Sequence, residues 1–283
     1  VGEINPTFEF RLLRCLLYSV NFRMPDPEDH PEGFGGHAIE SDTLRRSTAQ
    51  DFLEQFPDPD DGASQIENRL SRLDNLGNVL DQSSPDPRAF LQFLVDETPE
   101  YGTEIIRHAI DNPDGYLAGY VGEMLTALKE SEAGEAFRLA QEAVGVHDTL
   151  ARSVAQSHEA WHERAQDEDV DMWGAFLRHP NRKVRLAALR SLKSLAFNGE
   201  VDPVLQHAPR TRVGDETEVA DELFSLFDAG HGLDPENLND GQIRALLGKL
   251  RSVSQLDKHW IRSFLDNASR RTPEAVFDLL IRR

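Results

Sequence analysis

His158-Glu159-Ala160-Trp161-His162 is the one stretch of this sequence whose residue types and spacing match a reaction centre. On a helix the i, i+4 interval puts both imidazoles on one face, where they can ligate Zn²⁺. Glu159 then stands where a general base would activate a bound water. Glu168 falls at the position of a third ligand in the longer form of this pattern. The chemistry would be zinc-dependent hydrolysis. Against it, the charged Glu163 and Arg164 follow His162, where such a helix ordinarily continues apolar. Ala165 replaces the Gly that the longer form needs for its turn, and no strand signal offers a sheet edge to align a substrate. With 10 His and 24 Glu in 283 residues, the pattern also carries a known risk of arising by chance. The plainer expectation is two solvated histidines beside a packed Trp161, with no metal and no other cofactor.

A second set of residues can recognise charge rather than react. Arg178, Arg182, Lys183, Arg185, Arg190 and Lys193 follow one another with no acid between residues 175 and 193. Phosphates or an acidic partner could dock there. The competing expectation is internal pairing, because Asp167, Glu168, Asp169 and Asp171 lie just upstream. Other features carry no chemistry. Gly33-Phe34-Gly35-Gly36 lacks the Lys-Ser/Thr that would make it a phosphate loop. Cys15 sits among Leu12, Leu13, Leu16 and Leu17 and reads as a buried thiol.

The elements that position these residues read as helices throughout. Ile243, Leu246, Leu247, Leu250 and Val253 make a helical stripe, as do Val219, Leu223, Leu226 and Phe227, and Leu117, Val121, Leu125 and Leu128. Pairs such as Asp86-Pro87, Thr98-Pro99, Asn112-Pro113, Asp202-Pro203, Asp234-Pro235 and Thr272-Pro273 read as helix starts, a capping oxygen followed by a proline whose missing N–H costs nothing. Ser64 with Glu67 has the spacing of a capping box. The expected helices are mostly 10–17 residues long with short joins, which suits stacked antiparallel pairs. Asn21 to Arg45, with Pro25, Pro27, Pro31 and the glycines, reads as a long loop. The expected organisation is an N-terminal helical region over 1–84, carrying that loop at 21–45, and a helical array over 85–283.

Residues 173–197 read WGAFLRHPNRKVRLAALRSLKSLAF. The second half resembles a HEAT repeat: Val184-Arg185, then Ala188, Ser191 where the family usually has Ala, Leu192 and Leu195. Pro180 sits in the turn between helices, where such repeats often carry proline. The resemblance covers about one repeat well. It implies an all-α chain, a right-handed α-solenoid of antiparallel helix pairs, which serves as a scaffold or as the sensor region of a larger signalling protein. It also implies that Arg185 bonds within the stack, leaving Arg178, Arg182, Lys183, Arg190 and Lys193 as the candidate binding residues.

Size and charge narrow the functions. Hydrophobic residues are 39% and charged residues 28%, the balance of an array that keeps two faces in water. Residues 1–174 hold 13 Lys/Arg against 35 Asp/Glu, and 175–283 hold 17 against 15, for a net charge of −20. The acidic half would repel nucleic acid and anionic membranes. A helical-repeat module that binds nucleic acid through the basic half is the third expectation, opposed by the total charge. The single Cys allows no intrachain disulfide, and the apolar run at Leu12–Val20 is too short to span a bilayer. These features point to a cytoplasmic, non-enzymatic module whose partner is a protein or another domain of the same longer chain.

Overall fold

The computed structural model describes residues 6–17, 35–80, 87–158, 167–228 and 233–282. Among them are helices and turns and no strand, as the periodicity predicts. The chain forms two compact units, Val1–Val154 and Ala155–Arg283.

The first unit holds α1 (Pro6–Leu17), α2 (Gly35–Gln55), α3 (Pro59–Leu80), α4 (Arg88–Glu97), α5 (Pro99–Asp111), α6 (Val121–Val146) and most of α7 (Asp148–Ser157). Three local expectations are corrected here. The loop expected over 21–45 is helix from Gly35 onward; residues 21–34 lie outside the described residues. Beyond Gly36 the segment contains no Pro or Gly, so nothing prevents propagation once α2 has begun. The helix expected to start at Ser64 starts instead at Pro59, because Asp58 accepts the backbone N–H groups of Asp60 and Asp61 at 3.0 and 3.2 Å. Glu67 serves a different end: its carboxylate accepts the N–H groups of Tyr116 and Leu117 at 2.7 and 2.8 Å, opening a 3-10 turn at Leu117–Tyr120. Third, Thr98-Pro99 and Thr272-Pro273 do begin helices, but neither threonine caps through its side chain. The Thr272 hydroxyl donates back to Ala268 O at 3.2 Å. Helix α6 is kinked where Glu132 leaves helical geometry at φ −132°, ψ 58°.

Within this unit α4 packs between α2 and α6, while α5 packs on α3, α4 and α6. Phe52 meets Phe90 edge-on at 5.8 Å in the core. Tyr101 donates its hydroxyl to Phe56 O at 2.8 Å, and burial pushes that hydroxyl well above its usual pKa. The α4–α5 approach depends on Gly102: a Cβ there would sit 2.9 Å from Val95 Cα. Helix α3 packs against α5 within this unit.

The second unit holds α8 (Asp167–Arg178), α9 (Arg182–Phe197), α10 (Val201–His207), α11 (Thr217–Ser225), α12 (Asp240–Lys249), α13 (His259–Arg271) and α14 (Pro273–Ile281). Local caps are made at α9 and α12, whereas Asp202-Pro203, expected to start a helix, falls inside α10 after its N-cap Glu200. Asn181 accepts Lys183 N at 2.8 Å, and Asn239 with Gln242 closes a reciprocal capping box at 2.9 and 2.8 Å. Helix α9 touches α8, α10 and α11; α11 touches α13; α14 touches α12 and α13. Being flanked on several sides, α9 is buried at every position from Val184 to Leu189, beyond the single stripe its sequence suggests. Phe264 of α13 fills the next layer, 4.6 Å from Phe224 and 6.0 Å from Phe227.

Candidate functional site

The two sets of residues singled out above meet different fates. His158 is fully buried, its ring edge-on to Trp173 at 4.6 Å and to Phe176 at 5.2 Å. That environment belongs to a packed core and not to a solvated surface, so for His158 the expectation of a solvated imidazole is corrected: the aromatic rings of α8 take it in. Glu159, Trp161, His162 and the side chain of Glu168 lie outside the described residues. Among the described residues no group of three or more His, Cys, Asp or Glu is placed to hold a metal ion.

The basic cluster is laid out along α9, where α11 meets it. Arg182 pairs with Glu218 at 2.9 Å and Arg190 with Glu222 at 3.7 Å. Lys193 donates to Ser225 Oγ at 3.1 Å and holds its ammonium 5.5 Å from the centre of the Trp260 ring. Arg185 is the buried member. Its guanidinium donates to the carbonyls of His179 and Pro180, the latter at 2.8 Å, and pairs with Glu216. One side chain thus ties the α8–α9 turn to Glu216 at the start of α11, and Arg185 bonds internally as expected. Arg178 is exposed and donates to Gly174 O at 2.9 Å on its own helix. Lys183 is exposed and has no ion pair among the described residues. Internal pairing was the competing expectation, and for Arg182, Arg185 and Arg190 it holds. The partners differ, however: they lie downstream on α11, whereas the side chains of residues 167–171 lie outside the described residues.

These pairs differ in strength for a physical reason. Arg182 and Glu218 are 51% and 59% exposed, so water screens them and the pair contributes about 0–1 kcal/mol. Arg185 is 2% exposed. Its charge is stabilised only by the groups that surround it, and removing any of them leaves a buried cation short of acceptors.

Beside this row of pairs lies a groove of about 600 Å³ between α9, α11 and the start of α13. Asp215, Glu216, Glu218, Asp221 and Glu222 bring five carboxylates to it, and Arg182, Lys193 and Lys258 bring three cations. Trp260 lines it as well, half-buried, with its backbone N–H on Asp221 Oδ1 at 3.1 Å. That bond fixes the start of α13, and with it the ring, against α11. Sequence reasoning did not single out Trp260, and it missed Glu216, Glu218 and Glu222 because they lie 31–36 residues from the cations they meet. The run Asp215-Glu216-Thr217-Glu218 followed by Asp221-Glu222 was the available signal, an acidic face on a short helix near the end of the chain. Burial also lowers the pKa of Lys249, which donates to Thr211 O at 3.0 Å outside the groove.

No helix among the described residues is long and apolar enough to cross a membrane. Comparison with protein-family profiles, characterised proteins and solved structures returned no match.

Proposed function

We propose that this chain is a non-enzymatic binding module: a HEAT-like stack of helix pairs, solenoid in character, that recognises another protein, or another domain of a longer chain, on the surface formed by α9, α11 and α13. The observation that carries this reading is the groove with Trp260 at its side, flanked by three alternate helices, α9 against α11 and α11 against α13. Two further features support it. Helices in each unit pack on their second neighbours, α2 on α4 and α4 on α6, α9 on α11 and α11 on α13, the pattern expected when similar pairs stack. Arg185 links one pair to the following pair, the role its position after Val184 implies. A groove of this size, rimmed by charge and holding one aromatic side chain, resembles the anchoring pockets of protein interfaces more than a closed reaction chamber.

The test blocks the groove without regard to ligand charge. Ser254 is exposed on its rim, so Ser254→Trp fills the space and leaves the core untouched. A protein captured stoichiometrically from the source cells by the wild type and lost on Ser254→Trp supports the reading. Equal capture by both, or capture of nothing, defeats it.

A further inference from the structure

Lys193 is the cation of α9 whose ammonium rests over an indole ring and on a hydroxyl in place of an ion pair among the described residues. Its contacts are the Trp260 face at 5.5 Å and Ser225 Oγ at 3.1 Å. Ser225 is itself buried and donates to Glu222 O at 2.8 Å, which aims its lone pairs at the ammonium. An aromatic face, an oriented hydroxyl oxygen and neighbouring carboxylates form a recognition site for an organic cation. The chain supplies that cation from its own flexible four-carbon stem.

We propose that the α9–α11–α13 groove binds an arginine or lysine side chain on an exposed segment of a partner protein, and that Lys193 is the internal competitor it displaces. This rests on the reading of the chain as a protein-binding module and names the chemistry of its partner. Carboxylates outnumber cations five to three around the groove. Asp215 has no ion pair among the described residues, Glu222 reaches Arg190 only at 3.7 Å, and Glu218 shares a solvent-screened pair with Arg182. These oxygens can turn to an incoming cation at small cost. An acidic ligand faces the reverse situation: Arg182, Arg185 and Arg190 already have carboxylate partners, and those carboxylates would repel it. The chain's net charge of −20 adds long-range attraction for a basic partner. Arginine fits better than lysine, since its planar guanidinium both stacks on indole and forks to a carboxylate.

The proposal predicts an unusual sign. Lys193→Met keeps the stem and removes the competing charge, so it should tighten binding of a cationic peptide about two- to fivefold. Were α9 a docking face for acidic partners, the same change would weaken binding. The probes are a fluorescein-labelled hexapeptide of alternating arginine and serine, and its glutamate-for-arginine counterpart, both followed by anisotropy on the full chain. The expected result is binding of the arginine peptide, tighter in Lys193→Met and weaker by about tenfold in Trp260→Leu. Glu222→Gln, which conserves shape, should also weaken it. Circular dichroism confirms that each variant is folded, and Glu222→Gln carries the test should Trp260→Leu fail to fold. A weaker or unchanged affinity in Lys193→Met, or a preference for the glutamate peptide, overturns the proposal. If neither peptide binds while a native protein is still captured in a manner that Ser254→Trp abolishes, the cationic ligand is wrong and the binding module stands.

Discussion

Replacing Arg185 with alanine should destabilise the second unit by about 3–4 kcal/mol, and the sum can be worked from its contacts. The guanidinium donates to the carbonyls of His179 and Pro180. A hydrogen bond from a charged donor contributes about 1.5–3 kcal/mol. His179 is only half-buried and Pro180 is exposed, so water takes over part of that role and the lower figure applies to each. The pair with Glu216 adds about 0.5–1 kcal/mol, discounted because that carboxylate is 35% exposed and stays hydrated. For a unit of this size the total corresponds to a fall in Tm of roughly 10 °C. Trp173 and Trp260 lie in the second unit, and residues 1–154 contain no tryptophan. Denaturation followed by tryptophan fluorescence therefore reports on that unit selectively. Arg178→Ala, an exposed arginine on the same basic run, is the control and should change stability by no more than about 0.5 kcal/mol. A loss below about 1 kcal/mol in Arg185→Ala, or one equal to the control, would refute the assignment of Arg185 as the tie between helix pairs. Added salt gives a second check. The Arg185 loss should persist at high ionic strength, whereas any contribution of Arg182 with Glu218 should vanish.

Two other expectations concern the first unit. Gly102→Ala places a Cβ 2.9 Å from Val95 Cα, a backbone atom that cannot swing away, so α4 and α5 must separate at a cost of about 1–3 kcal/mol; thermal unfolding by circular dichroism should show the lower Tm, and an unchanged Tm would deny the close approach. Glu135 has its carboxyl lowered from 4.5 to about 2, chiefly by its hydrogen bond with Arg138 and then by Arg107. Because the folded value lies below the unfolded one, the stability this group supplies is complete above about 4.5 and disappears as pH falls through about 2. Carboxyl NMR should place the Glu135 midpoint near 2, and Arg138→Met should move it back toward the ordinary range; a midpoint already near 4.5 in the wild type would sink the assignment.

Helix class was legible because stripes such as Ile243, Leu246, Leu247 and Leu250 repeat at short range, and short range is where periodicity speaks. Starts were legible where one residue decides them, as at Asp234-Pro235, where the Asp234 carboxylate accepts the N–H of Glu236. They were misread where two signals compete. Ser64 and Glu67 have capping-box spacing, yet Asp58 already supplies the cap one turn and a half earlier, and Glu67 is recruited by the backbone of Tyr116. The segment from Gly35 was misread because its glycines outweighed the uninterrupted helix formers behind them. The groove was not legible at all. Glu216 and Glu218 meet Arg185 and Arg182 in crossed order while Glu222 meets Arg190 and Ser225 meets Lys193, so α11 runs in the same direction as α9 at a slant. No local pattern encodes that slant.

The same row of charges must both hold helices together and, under the proposal, admit a ligand, and burial separates the two duties. Arg185, at 2% exposure, cannot be lent to a partner: exposing it would break its carbonyl bonds and strand the turn at His179 and Pro180. Arg182 and Glu218 are each more than half exposed, and Arg190 reaches Glu222 only at 3.7 Å, so these pairs exchange with solvent at a cost near thermal energy. Lys193 lies between these extremes, half-buried, with a weak aromatic contact and one hydrogen bond. A partner's arginine need only outcompete that contact and that bond, while the Arg185 tie keeps α9 and α11 in register beneath it. Variants of Arg185 should therefore change stability first and binding only through unfolding, whereas Lys193→Met should change binding and leave Tm within a degree or two. If the two residues showed the same ratio of effects, the division of labour along α9 would be false.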